Sequence, residues 1–114
     1  MRYILAVALV LCAVPAFAAT ATLTWTDNST NESGFNVQRK LEVCAGSGAW
    51  SDLAQVGANV TTYKDGTIQE GVPVCYRVNA YNSAGASAWS NTAGGVPPFT
   101  IPAVPSQLGV TFGP

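Results

Sequence analysis

Hydrophobic and polar residues alternate along much of this chain, in short stretches. In Ala21–Trp25 every second residue is apolar and those between are threonines; Phe35–Arg39 and Val74–Asn82 alternate in the same way. A period of two is that of a β-strand with one buried face. Clusters of Gly, Asn, Asp and Ser separate the stretches, and none after residue 18 has a helical period. The pattern predicts an all-β, antiparallel sandwich.

The first eighteen residues predict a secretory signal peptide. Arg2 precedes an apolar run, Ile4–Val14, and Ala16-Phe17-Ala18 fits the Ala-x-Ala cleavage pattern. The run is too short to span a bilayer, so no membrane association is expected after cleavage. We expect a secreted protein, extracellular or periplasmic, that begins at Ala19.

Charge and cysteine content narrow the possible partners. The formal charge of the whole chain is −1, and no basic patch could neutralise phosphates, so a nucleic-acid partner is not expected. Removal of the signal peptide leaves two cysteines, Cys44 and Cys75. In an oxidising compartment an even number favours a disulfide, which would contribute roughly 3–4 kcal/mol on the loop-entropy argument.

The sequence predicts no catalytic, cofactor or metal site. It has no histidine, and both mature cysteines are expected to be oxidised, so the usual general base and thiol nucleophile are missing. Most carboxylates fall in apparent turns, where they are expected to be solvated, and no calcium-binding loop pattern is present. These turn carboxylates are Asp27, Glu32, Asp65 and Glu70.

Three segments together resemble the fibronectin type III domain, especially the versions in secreted bacterial proteins. They are Leu23-Thr24-Trp25-Thr26-Asp27-Asn28-Ser29, Gly34-Phe35-x-Val37-x-Arg39 and Tyr76-Arg77-Val78-x-Ala80-x-Asn82-x-x-Gly85-x-Ser87. The resemblance covers about Thr20–Thr92 and implies an antiparallel immunoglobulin-like sandwich with Trp25 in its core. The implied strands are B (Thr20–Thr26), C (Phe35–Leu41), C′ (Trp50–Val56), E (Thr61–Lys64), F (Val74–Asn82) and G (Ala86–Thr92).

The chain departs from the family pattern in three ways. Val74 stands where the family usually has a corner tyrosine, so the tyrosine's tie to the backbone is missing. A Cys44–Cys75 disulfide would tie the start of strand F to the loop after strand C and could replace that restraint. The family's first strand, strand A, should precede strand B, but signal cleavage leaves only Ala19 and Thr20 before it.

The missing pattern occurs at the other end of the chain. Pro105-Ser106-Gln107-Leu108-Gly109-Val110 resembles the family's approach to strand A, and Leu108, Val110 and Phe112 would share one side of an extended segment. The predicted organisation is therefore a signal peptide (1–18), a fibronectin type III-like domain (19–93), a proline-rich linker (94–104) and a strand-A-like segment (105–114).

This tail has three possible arrangements. It can add to strand B of its own molecule, because the linker extends roughly 35–40 Å against about 25 Å for a strand. It can add to a neighbouring molecule, which builds an oligomer or filament. It can also remain loose and leave strand B as an exposed edge, an aggregation hazard. The predicted acceptor edge consists of Ala21, Leu23 and Trp25.

The predicted function is that of a secreted structural or adhesive module that assembles with copies of itself. The alternative is a monomeric accessory domain that binds a polysaccharide or a surface protein. Its binding platform would consist of Tyr81, predicted to point outward, with Trp50 and Trp89 if they share that face; otherwise the two tryptophans cap the edges of the core.

Overall fold

The protein is all-β, with two antiparallel sheets. The structure, a computed structural model, describes residues 17–114. The predicted signal peptide therefore lies outside the described residues except for Phe17 and Ala18. The strands are β1 (Ala18–Thr24), β2 (Gly34–Lys40), β3 (Ser51–Gly57), β4 (Thr62–Gln69), β5 (Val74–Asn82), β6 (Gly85–Ala86) and β7 (Ala93–Gly95).

The two sheets differ in size. Sheet 1 consists of β1 paired with β4. Sheet 2 has the order β3–β2–β5, and the short strands β6 and β7 both pair with β5 on the side away from β2. This arrangement is consistent with the predicted β-sandwich.

The core lies between the sheets and follows the predicted alternation. Phe35 and Val37 of β2 pack with Val78 of β5, and a second cluster contains Ile68, Val74 and Tyr76. β1 contributes residues that are less completely buried. Ala19, Ala21 and Leu23 face the core but are only half-buried, whereas the threonines between them are exposed.

The predicted disulfide between Cys44 and Cys75 is confirmed. The two Cα atoms lie 5.1 Å apart, within the range that a disulfide requires. Cys44 belongs to the loop after β2, and Cys75 lies at the start of β5, opposite Lys40 of β2. The bond therefore fixes the loop to β5, an interior strand of sheet 2.

Two strands differ from the prediction by more than two residues or in number. The strand predicted over Thr61–Lys64 continues to Gln69, so that Asp65-Gly66 lies inside β4 and forms no turn. The last strand, predicted over Ala86–Thr92, is instead divided into β6 and β7. β7 extends two residues into the segment expected to be the linker.

Asp65 joins the two sheets through a buried carboxylate, so its assignment to a solvated turn is wrong. The residue is 1% exposed. Its Oδ2 accepts hydrogen bonds from Arg39 Nη1 of β2 at 2.9 Å and from the Tyr76 hydroxyl of β5 at 2.8 Å. Its Oδ1 accepts from the backbone N–H and the hydroxyl of Thr67. A tyrosine hydroxyl of β5 thus ties that strand to the opposite sheet.

These bonds make stability depend on pH. Burial alone would raise the pKa of Asp65, but hydrogen bonds from Thr67, Arg39 and Tyr76 outweigh it and lower the pKa from 3.8 to about 2. A depressed folded-state pKa stabilises the fold above pH 4, and this contribution is lost as the pH falls from 4 to 2. Its size is about 2 kcal/mol.

We therefore expect Asp65→Asn to reduce the pH dependence of folding. Urea unfolding at pH 5 and pH 2 should show that the wild type loses about 2 kcal/mol more of its free energy of unfolding than the variant does. Each protein serves as its own reference, so other carboxylates cancel in the comparison. An equal loss in the two proteins would contradict the assignment of this dependence to Asp65.

Candidate functional site

One edge of β1 has no neighbouring strand in residues 17–114. β1 pairs with β4 along its other edge, from Ala18 opposite Gln69 to Thr24 opposite Thr62. An edge strand presents a row of N–H and C=O groups that can pair with an added strand. The open edge of β1 therefore has backbone groups to which an extended segment can pair.

A cleft runs beside this edge between the two sheets. Depressions of about 640 Å³ and 450 Å³ adjoin at Thr22, Leu23 and Tyr76. A third, of about 330 Å³, shares Trp25 and Val78 with the larger of these. We call this continuous depression the β1 cleft. One wall consists of Ala19, Ala21, Leu23 and Trp25, and the other of Tyr76, Val78, Ser90, Gly94 and Gly95.

Trp25 stands just beyond the end of β1, at one end of this cleft. Its ring packs against Phe35, with 5.6 Å between the ring centroids, and its backbone N–H donates to the carbonyl of Thr61. Its indole Nε1 is buried without a hydrogen-bond acceptor, the one such side-chain atom in the part of the chain that the structure describes. A buried donor without an acceptor costs about 1–3 kcal/mol.

Two serines account for the division of the last strand. The hydroxyls of Ser87 and Ser90 accept hydrogen bonds from the backbone N–H groups of Ala80 and Val78, each at 3.0 Å. The backbone N–H groups of the same serines donate to the carbonyls of Ala80 and Val78 at 2.8 Å. Side-chain oxygens thus replace backbone acceptors, and the N–H groups of Val78 and Ala80 in β5 are hydrogen-bonded without a continuous partner strand. The Ser-x-x-Ser spacing was the signal that the sequence offered for this arrangement.

Two of the three predicted platform residues, Trp50 and Trp89, stack on one arginine of β5. The Arg77 guanidinium lies between the rings of Trp50 and Trp89, with its Cζ 4.4 Å and 4.3 Å from the two ring centroids. Both tryptophans therefore pack on the outer face of sheet 2, but each has one ring face turned to arginine. Tyr81 lies four residues farther along β5, and its ring covers Gly34.

Polar side chains form two hydrogen-bonded rows across the same face. In one row Gln55 donates to Asn36, and Asn36 donates to Asn79. In the other, Gln38 accepts from Arg77 and donates to Asp52. A groove of about 630 Å³ lies over these rows and reaches Trp89.

The C-terminal tail forms no strand in this structure. Leu108, Val110 and Phe112 are 99%, 75% and 86% exposed. Gln107 has a positive φ of 57°, so the segment predicted to be extended is bent at that residue. The tail does not pair with β1 of its own chain, and its apolar side chains stay in solvent.

No protein-family model matches the chain, and no curated protein matches it. In residues 17–114, no group of three or more His, Cys, Asp or Glu side chains could hold a metal ion. The described residues also contain no helix of the length and apolarity that crossing a membrane requires.

The stack of Trp50, Arg77 and Trp89 generates a prediction about stability. Arg77→Met keeps an unbranched side chain between the rings but removes the charge and the hydrogen bonds to Gln38, so the free energy of unfolding should fall by about 1–2 kcal/mol. Chemical denaturation followed by tryptophan fluorescence measures the change. Lys64→Met, which removes an exposed charge from β4, is the matched control and should change stability by less than about 0.5 kcal/mol. Equal effects of the two substitutions would show that the stack contributes nothing.

Proposed function

We propose that this protein is a secreted, non-enzymatic structural or adhesive module that assembles with copies of itself by C-terminal strand donation. The observation that carries the proposal is a pair of complementary features. The chain has an open β1 edge beside an apolar cleft, and its own tail exposes three alternating apolar side chains, Leu108, Val110 and Phe112.

The strand pairing supports a fibronectin type III-like type for the sandwich. β1 pairs with β4, which corresponds to B with E, and β3–β2–β5 corresponds to C′–C–F. These are the pairings of immunoglobulin-type sandwiches, in which strand A lies next to B. In that arrangement the position of strand A is the open edge of β1.

The shape of the β1 cleft suits a strand added antiparallel to β1. In that direction Leu108 would lie near Leu23, Val110 near Ala21 and Phe112 near Ala19. The largest donated side chain would then reach the end of the cleft that Gly94 and Gly95 line together with Val96 and Pro97.

The energetics favour assembly that depends on concentration. Complete burial of a Leu, Val or Phe side chain contributes roughly 1.5–3 kcal/mol. Ordering the donated residues costs about 1–2 kcal/mol each, which offsets much of the gain from burial and from new backbone hydrogen bonds. The contact joins different surfaces of two molecules, so it can extend into a filament or close into a ring.

The proposed location rests on the predicted signal peptide and on the disulfide. Disulfides persist in oxidising compartments, and the Cys44–Cys75 bond is compatible with export. β1 begins at Ala18, so cleavage after that residue would remove one pair, Ala18 with Gln69, and leave the rest of β1 in place.

Strand donation predicts that assembly requires the tail. We expect the secreted full-length protein to form oligomers whose mass increases with concentration, and a variant without residues 104–114 to remain a monomer. Analytical ultracentrifugation of both proteins at several concentrations measures this. A full-length protein that stays monomeric at high concentration would rule out donation between molecules.

Two charge substitutions distinguish a strand-like contact from nonspecific association of the apolar tail. Val110→Asp places a charge on the face that would enter the β1 cleft and should abolish assembly. Thr111→Asp adds the same charge one residue away, on the opposite face, and should leave assembly nearly unchanged. Equal loss in the two variants would contradict an alternating, strand-like contact.

A second candidate function is polysaccharide binding by the outer face of sheet 2. The observation that favours it is the groove lined by Asn36, Gln38, Gln55 and Asn79 beside Trp89, since amides and aromatic rings are groups that contact sugars. Retention on insoluble polysaccharide should then fall at least tenfold in Trp89→Ala. Tyr81→Ala, which lies outside the groove, is the control. Equal retention of wild type and Trp89→Ala would exclude this function.

A further inference from the structure

The wall of the β1 cleft that faces the first half of β1 continues beyond the last strand. The depression of about 450 Å³ at this end of the cleft is lined by β1 on one side. On the other side Gly94 and Gly95, which pair with β5, are followed by Val96, Pro97 and Pro98. We call these last three residues, Val96–Pro98, the rim.

The rim cannot hold its position through a strand ladder. Proline has no backbone N–H, so two of the three rim residues have no hydrogen to donate to a neighbouring strand. β7 accordingly ends at Gly95, the residue before the rim. The rim nevertheless lies against the body, because Pro97 is half-buried while Val96 and Pro98 are exposed. Its position therefore depends on contacts outside the ladder.

Contacts with the turn between β4 and β5 supply that hold. The backbone N–H of Gly71 donates to the carbonyl of Pro97 at 2.8 Å. The Phe99 ring, directly after the rim, covers Gly71, whose positive φ of 76° and close contact with that ring leave no room for a side chain. The Thr100 backbone N–H donates to Glu70 Oε2 at 3.1 Å, and the Thr100 hydroxyl donates to Glu70 Oε1. The rim is thus held at both ends, by β7 before it and by this turn after it.

The opposite wall of the cleft leaves space in front of the rim. There β1 presents Ala19 and Ala21, whose small side chains face the core and are only half-buried. A strand added antiparallel to β1 would bring Phe112 near Ala19, and therefore between β1 and the rim. An aromatic ring carries the largest apolar area of the three donated side chains, so this contact would contribute most to burial.

We infer that the rim is the part of the acceptor that recognises Phe112 of a tail donated by a second copy of this chain, and that Glu70, Phe99 and Thr100 are positioning residues that hold the rim in place. The inference rests on the proposed function, which supplies the donated strand, and adds the site for its largest side chain. Loss of the positioning side chains should weaken recognition of Phe112. Recognition of Leu108, at the Trp25 end of the cleft, should be unchanged.

A peptide-binding experiment on the full chain tests this division of the cleft. The receiver is the Val110→Asp protein, whose own tail is disabled as a donor, and the probe is a fluorescent synthetic peptide with the sequence of residues 103–114. Fluorescence anisotropy measures the dissociation constant. We expect Phe112→Ala in the peptide to weaken binding to this receiver at least about tenfold. With Glu70→Ala/Phe99→Ala added to the receiver, the same change in the peptide should weaken binding by less than about threefold.

Two controls show that the effect is local. Leu108→Ala in the peptide should weaken binding to both receivers by the same factor, because its side chain would lie at the other end of the cleft. A receiver with Gln69→Ala/Ile101→Ala, two substitutions next to the positioning residues, should distinguish the peptides as well as the unmodified receiver does.

The outcomes separate the two claims. If Phe112→Ala weakens binding equally with and without the positioning side chains, the inference about the rim is wrong while strand donation stands. If the peptide of natural sequence does not bind the Val110→Asp receiver, strand donation is wrong and the inference falls with it. Should the receiver that lacks both positioning side chains fail to fold, Phe99→Ala alone, which keeps the hydrogen bonds to Gly71 and Glu70, gives the same comparison.

Discussion

The buried carboxylate of Asp65 is the interaction on which the arrangement of the two sheets depends. A two-stranded sheet is marginally stable by itself, so β1 and β4 need the larger sheet to hold them. Asp65 supplies that connection from β4 by accepting hydrogen bonds from Arg39 of β2 and Tyr76 of β5. Because both carboxylate oxygens have hydrogen-bond donors, the charge is tolerated there. The small sheet is thereby fixed in register over the larger one.

The same arrangement covers the edge of sheet 2 beside β5 but leaves the edge of sheet 1 beside β1 open. Sheet 2 is closed along β5 by two short strands and by the hydroxyls of Ser87 and Ser90. Sheet 1 has no corresponding closure beside β1 in the described residues, and the residues of β1 that face the core remain half-buried. Apolar surface and unpaired backbone thus coincide at one edge. A donated strand would cover both at once, which is why we propose that this edge takes part in assembly.

The sequence predicted the parts of the fold that follow from local alternation. The core faces of β2 and β5 and the Cys44–Cys75 disulfide needed only a period of two and a count of cysteines. Asp65-Gly66 was misread as a turn because its burial depends on Arg39 and Tyr76, which come from distant strands. The stacking of Trp50 and Trp89 on Arg77 likewise depends on tertiary proximity. Short motifs carry no information about such contacts.

Disulfide trapping tests the central claim, that the open edge of β1 receives a neighbour's tail, most directly. In the double variant Ala21→Cys/Val110→Cys, the proposed antiparallel pairing places the two introduced cysteines close together, where cross-strand Cα atoms are about 4.5–5.5 Å apart. Oxidation of the assembled protein, followed by non-reducing electrophoresis, should give a ladder of multimers that collapses to monomer on reduction. A monomer in which the two introduced cysteines are bridged within one chain, or no new bridge at all, would contradict the account.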